Sequence, residues 1–236
     1  MTMQGVSDHP SGGAKTPLRR DSLQQQIYER LRNGLVSGAF LPGETVSSRG
    51  LAQSLAVSAM PVREALTRLT AEGALELTSS RTLRVRVLTP ADFDEVTTIR
   101  VELEGMAAER AAGQVTEEDV ARVRALHGDL TAAAETADAD RYLAANAAFH
   151  SGIYAAARWP LLLSMIQRLW LTVGPSIRAS VPDHLHMATS MRFHDAAVEA
   201  IGARDAEALR AAIVGDIETA AKDIRAFLAE EAGATD

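Results

Sequence analysis

Ser47-Ser48-Arg49-Gly50-Leu51-Ala52-Gln53-Ser54-Leu55-Ala56-Val57-Ser58-Ala59-Met60-Pro61-Val62-Arg63 is the stretch on which the fold turns. Ser47 or Ser48 can open a short helix that carries Leu51 and Leu55. Val57 supplies a turn and Ser58 is placed to cap the next helix. Pro61 falls in that helix's first turn, where the N–H it lacks has no partner to lose. Leu66 and Leu69 then face inward, and Gly73 closes the helix. Towards the N-terminus, Leu23, Ile27, Leu31 and Leu35 recur at four-residue spacing, with Ser22 as a cap, Gly38 as a stop and Leu41-Pro42-Gly43 as a turn. Towards the C-terminus, strand-like runs at 74–78 and 83–88 flank a Ser79-Ser80-Arg81-Thr82 hairpin. Three helices and a hairpin predict a winged helix-turn-helix over 18–88.

Thr89-Pro90 breaks this pattern, and the chain beyond is Ala-rich. Helices are expected to start near Ala91, Thr116, Asp138, Trp159, Asp183 and Ala203. Breaks are expected at Gly113, Arg158-Trp159-Pro160, Gly174-Pro175, Val181-Pro182 and Gly202. The predicted class is therefore mainly α: a winged helix-turn-helix, then an all-α antiparallel helical bundle over 90–232. Residues 1–17, rich in Gly, Ser, Pro and Thr, read as a disordered tail.

Composition agrees with a helical core. Of 236 residues, 47% are hydrophobic but only 4% aromatic, so the interior must be built from Ala, Leu, Val and Ile. Without Cys there is no disulfide, thiolate metal site or cysteine nucleophile. No apolar run is long enough to span a membrane, and the first residues lack a secretory h-region, so a cytoplasmic protein is expected. The net charge of −7 is unevenly spread. Residues 18–89 hold 10 Arg against 6 acids, a balance of +4, whereas 90–236 hold 13 basic and 24 acidic residues, a balance of −11. A basic block ahead of an acidic one suits a nucleic-acid module joined to a domain with another task.

In a helix-turn-helix, the N-terminal residues of the third helix enter the major groove while the preceding helix lies across the backbone. Here those residues are Ser58, Met60, Pro61 and Arg63. Arg63 could fork two N–H groups onto a guanine, and the Ser58 hydroxyl with the free first-turn N–H groups suits a phosphate. Arg49 could reach a base edge or the backbone, and Arg81 at the hairpin tip could enter a minor groove. The alternative makes Arg49 and Arg63 surface residues paired with Glu44 or Glu64.

Ser37-Gly38, Leu41-Pro42-Gly43-Glu44, Leu51-Ala52, Val57-Ser58, Pro61-Val62-Arg63-Glu64-Ala65-Leu66, Leu69 and Glu72-Gly73 resemble, at fixed spacing, the N-terminal domain of GntR-type bacterial regulators. The resemblance implies that Arg49 and Arg63 contact double-stranded operator DNA. Two departures stand out. Ala59 replaces the family's usual Arg after the Ser, which removes one contact, and the wing tip reads Ser79-Ser80 where the family has Gly.

Arg100 and Glu104 followed by Ala107-Ala108, then Asn146-Ala147-Ala148-Phe149-His150, His194 and Asp205, resemble the ligand-binding (FCD) domain of the FadR subgroup. That resemblance implies a bundle of six or seven helices that forms a homodimer and encloses an effector pocket. Asn146 and His150, at i and i+4, project from one helix face and could hold one ion. His194 and Asp216 stand where the family has its later ligands, although the last is commonly a His. Two imidazoles, a carboxylate and an amide oxygen suit a divalent metal ion such as Zn, Ni, Mn or Fe, more weakly than a three-His set. Arg100 could fork onto the carboxylate of a small organic acid effector, or it could pair with Glu104 within its helix.

The expected function is ligand-responsive transcriptional regulation, more specifically repression. Two alternatives are a metal-dependent hydrolase or lyase built on His150, His194 and Asp216, and a dimeric adaptor without a sensing role. No general base, Gly-rich phosphate loop or nucleophile elbow supports the enzyme.

Overall fold

The computed structural model of the protein describes residues 23–136, 138–180 and 184–233. The first part comprises α1 (Leu23–Val36), β1 (Thr45–Val46), α2 (Ser48–Ser54), α3 (Ala59–Ala71), β2 (Leu75–Leu77) and β3 (Leu83–Val85). The four-residue spacing in α1 places Ile27, Leu31 and Leu35 against Val62, Leu66 and Leu69 of α3 in one buried cluster. Ser47 is the residue that caps α2, its hydroxyl accepting from Gly50 N–H at 3.3 Å. The turn between α2 and α3 is made at Ala56 (φ 53), not Val57. There the Val57 N–H reaches back to Ala52 O at 3.0 Å, which satisfies a carbonyl that the end of the helix would leave open. Gly38 and Gly73, also at positive φ, close α1 and α3 in the same manner.

The sheet has three strands rather than the expected two. β1 adds to β3, with Thr45 opposite Arg84 and Val46 opposite Leu83, giving the order β1-β3-β2. A strand of two residues shows no alternation, so its pairing is visible only in space.

Six helices follow among the described residues: α4 (Pro90–Ala112), α5 (Glu117–Thr136), α6 (Ala139–Ala156), α7 (Pro160–Ser180), α8 (His184–Ala203) and α9 (Ala206–Gly233). Thr89 and Asp92 form a capping box at the start of α4, and Thr116 with Asp119 does the same for α5. The helices pack chiefly as α4 on α9, α5 on α6 and α8 on α9. Their core is built chiefly from small and aliphatic side chains, as the composition required, with Tyr142, Phe149, Tyr154 and Trp170 among them.

Two expected breaks are absent. α7 runs without interruption through Gly174-Pro175. Proline within a helix costs about 3 kcal/mol, yet α7 is held on two sides. Leu171 inserts into the core of the N-terminal domain, and Val173 packs with Leu88, Phe93 and Ile224. α8 likewise continues through Gly202 and ends at Arg204 in the left-handed region. The 1–17 tail, the Ser22 cap, the break at Val181-Pro182 and the helix start at Asp183 lie outside the described residues.

Candidate functional site

Two sites emerge. The first is the tip of α3. Ser58 takes the N-cap position but its side chain makes no capping hydrogen bond, leaving the hydroxyl and the first-turn N–H groups available. Met60 is 67% exposed, and Arg63 projects one turn further along. Pro61, grouped above with the DNA-facing residues, is instead buried beside Val62. Its ring starts the helix and packs inward, so it offers no surface. Arg49 is exposed on the first turn of α2. Among the described residues, no ion pair or hydrogen bond engages the guanidinium of Arg49, Arg63 or Arg81, and Glu44 accepts instead from the Leu41 N–H at 2.9 Å. Other arginines of the block are committed to structure: Arg68 bonds Glu72 at 3.1 Å and lies over the Tyr28 ring.

The wing turn has its own logic. Thr78 N–H donates to Thr82 O and Arg81 N–H to Thr78 O, both at 2.9 Å. Arg81 adopts φ 59 at the third loop position, a conformation that favours glycine. The exposed charge at the tip is thus carried by a residue in the left-handed region.

The second site is inside the bundle. Tyr142, Asn146, His150 and Tyr154 follow one another at four-residue intervals along α6. His194 arrives from α8 and Asp216 from α9, and both histidines are 1% exposed. His150 Nε2 lies 3.2 Å from Asp216 Oδ2, and His194 Nε2 lies 3.6 Å from Asp216 Oδ1. The ligand atoms of His150, His194 and Asp216 all fall within 4.8 Å of one another. Asn146 Oδ1, His150 Nε2, both His194 nitrogens and Asp216 Oδ1 are buried without a hydrogen-bond partner. Burial pushes the Asp216 carboxyl up, but His194 and His150 outweigh it and hold it well below the usual carboxylate range.

A shell of hydrogen bonds orients these groups. Tyr154 O–H donates to Glu104 Oε2 at 2.5 Å, and burial followed by the Glu104 charge pushes its phenol well above the ordinary range, so it stays neutral. With that proton committed, the contact of 3.0 Å between His150 Nδ1 and Tyr154 Oη assigns the imidazole proton to Nδ1. In the neutral imidazole the Nε2 lone pair then faces the Asp216 carboxylate. That arrangement is repulsive unless a cation or a proton lies between them. Trp170 Nε1 also donates to Glu104 Oε2 at 3.0 Å.

Arg100 is buried at 5% exposure and donates through Nε to Glu104 Oε1 at 2.6 Å. The pair within the helix therefore forms, but inside the bundle rather than in solvent. Arg100 also lines, with Asn146 and Asp216, a cavity of about 30 Å³. Tyr154, the hydrogen bond of Trp170 and the central role of Glu104 escaped the sequence reading. The four-residue ladder from Asn146 through His150 could have led to Tyr154, whereas Trp170 comes from a different helix and leaves no local signal.

The chain matches the family profile described as bacterial regulatory proteins, gntR family, over residues 23–85, and that of the FCD domain over residues 95–219. It is 34% identical over 160 residues to the HTH-type transcriptional regulator McbR of Escherichia coli K12, covering 68% of this chain and 72% of that protein. It is 26% identical over 204 residues to the HTH-type transcriptional repressor RspR of the same organism, covering 86% of this chain and 89% of the other. The solved structure of E. coli McbR/YncC superposes with a TM-score of 0.80 at 29% identity over 89% of this chain and 98% of the other. The fold, the basic helix tip and the matched residues lead to one conclusion: the chain belongs to the GntR family of bacterial transcriptional regulators, DNA-binding proteins rather than enzymes, and carries an FCD domain.

Proposed function

We propose that the protein is a metal-dependent, effector-responsive repressor that binds a roughly palindromic operator as a homodimer. The segment 18–88 is the DNA-binding module, and 90–232 is the effector-binding and dimerisation module. Arg49, Ser58, Met60, Arg63 and Arg81 face the operator, with Arg63 reading a base edge. Repression is favoured by the likeness to RspR, a repressor matched over most of both chains.

The observation that carries the metal reading is the set of buried polar atoms without partners on Asn146, His150, His194 and Asp216. These four residues would hold the ion. When bound there, a divalent ion such as Zn, Ni, Mn or Fe supplies positive charge that can receive a carboxylate oxygen. Arg100 neutralises Glu104 and turns its remaining N–H groups to a second oxygen of a small organic acid. The cavity of about 30 Å³ has room for an ion or a water but not for such an acid, so effector binding has to open the bundle. An acid that binds the opened form more tightly shifts the protein away from the DNA-bound arrangement.

Gel shifts against the DNA upstream of the protein's own gene test the first half. Salt-sensitive, sequence-specific binding is expected, and Arg63→Ala should weaken it by about 1–3 kcal/mol. An absence of specific binding there, or an Arg63→Ala variant as tight as wild type, would count against the assignment. Elemental analysis tests the second half: purified protein should carry about one divalent ion per chain, and the His150→Ala/His194→Ala double variant none. Equal metal content in both, with no response to any acid, would favour the adaptor.

A further inference from the structure

We propose that the cleft between α1 and the α6–α7 pair is a second ligand site, for an amphipathic monoanion with an aliphatic tail. The cavity there measures about 400 Å³, within the range that accepts small organic ligands. It lies between the DNA-binding domain and the bundle, outside the cluster of Asn146, His150, His194 and Asp216. None of those four residues lines it.

Its chemistry is lopsided. Leu163, Ile166 and Trp170 of α7 supply an apolar wall, with small alanines of α6 opposite, while Arg32 and Asn33 of α1 stand at its edge. No acidic side chain lines the cleft. Arg32 is half-buried, and among the described residues its guanidinium makes one hydrogen bond, a long one of 3.5 Å to Gln167 O, and has no carboxylate partner. A guanidinium held at the mouth of an apolar cavity without a counter-charge favours an anion, and a carboxylate matches its fork. A neutral or cationic amphiphile would fill the same volume but leave that charge unpaired.

The location gives such a ligand leverage. Further along α1, the domains are closed tightly: a Cβ on Gly174 would stand 2.4 Å from Leu35 O, and one on Gly38 would stand 2.5 Å from Arg178 Cβ. At Arg32 they gape. A molecule bound there touches α1 on one side and α6 and α7 on the other, and so acts on the angle between DNA-binding domain and bundle. Tyr154 and Trp170 line the cleft while their polar ends bond Glu104, which links the cleft to the buried cluster through shared side chains.

The test is calorimetric titration of the full chain, stripped of metal by a chelator, with octanoate, octanol and octylamine as probes. Saturable octanoate binding is expected, with octanol and octylamine at least about tenfold weaker. Arg32→Gln should weaken octanoate by about tenfold or more. Ala148→Phe, at an exposed position lining the cleft, should abolish binding while circular dichroism stays native. The proposal is overturned by no saturable binding at millimolar octanoate, by octanol or octylamine binding as tightly as octanoate, or by unchanged binding in either Arg32→Gln or Ala148→Phe. Neither DNA nor metal enters the readout, so failure here leaves the operator and metal assignments standing.

Discussion

Arg81 holds a left-handed backbone at the wing tip, where a non-glycine residue stores about 1 kcal/mol of strain. The strain is understandable if the guanidinium is needed beyond the tip, because no partner within the described residues holds it there. Replacing it separates the two effects. Arg81→Gly is expected to leave unfolding stability unchanged or raise it by up to about 1 kcal/mol, since relief of strain competes with the added chain entropy. The same variant should reduce the salt dependence of DNA binding by roughly one phosphate contact. Urea unfolding alongside gel shifts at several salt concentrations would check both. A variant less stable than wild type, with full DNA affinity, would assign Arg81 to the fold instead.

Helix ends and helix contacts belong to the next scale. At the start of α5, Asp119 accepts from the Thr116 backbone N–H at 3.0 Å and from its hydroxyl at 2.9 Å, and it pairs with Arg158 at 2.6 Å. The Thr116 N–H lowers the carboxyl most, burial pushes it back up, and the Thr116 hydroxyl and Arg158 help hold it below its ordinary value of 3.8. A folded-state pKa below the unfolded one means the contribution is present above about pH 4 and is lost as pH falls through the folded value. Asp119→Asn should cost about 1–2 kcal/mol near neutral pH, a cost that shrinks progressively as pH falls below about 4, measured by urea unfolding across that range. A second element-level prediction concerns α7. Gly174→Ala places a methyl group 2.4 Å from Leu35 O and 2.8 Å from Val36 O, both backbone atoms that cannot swing aside. The expected outcome is about 1–3 kcal/mol of destabilisation and faster proteolysis between β3 and α4, as α1 lifts from the bundle. Unchanged protease resistance would mean that the junction tolerates the shift.

For the molecule as a whole, the proposed metal site carries a prediction about stability. A divalent ion that binds only the folded chain stabilises it by about 2.7 kcal/mol at a hundredfold excess over its dissociation constant. Thermal unfolding with Zn, Ni or Mn added to chelator-treated protein should show that increase, and the His150→Ala/His194→Ala variant should not. Among the described residues no helix is long and apolar enough to cross a membrane. The two domains meet through α1 and α7. Leu171 makes that continuity literal, since it lies on a bundle helix yet packs in the DNA-binding domain's core.

The linear order of residues was sufficient for the winged helix-turn-helix, because caps, left-handed glycines and four-residue apolar spacing are local properties that each segment carries alone. It also named Asn146, His150, His194 and Asp216, although only the family resemblance joined residues so far apart in the chain. Ala56 as the turn, the two-residue strand β1, the burial of Pro61 and the passage of α7 through Pro175 were decided in three dimensions, where packing from neighbouring elements overrides local preference. The bond from Trp170 to Glu104, the lone pair of His150 turned to Asp216 and the cleft beside Arg32 each depend on which helices become neighbours. Pairings of that kind follow from how whole faces fit together, and no window of sequence contains both partners.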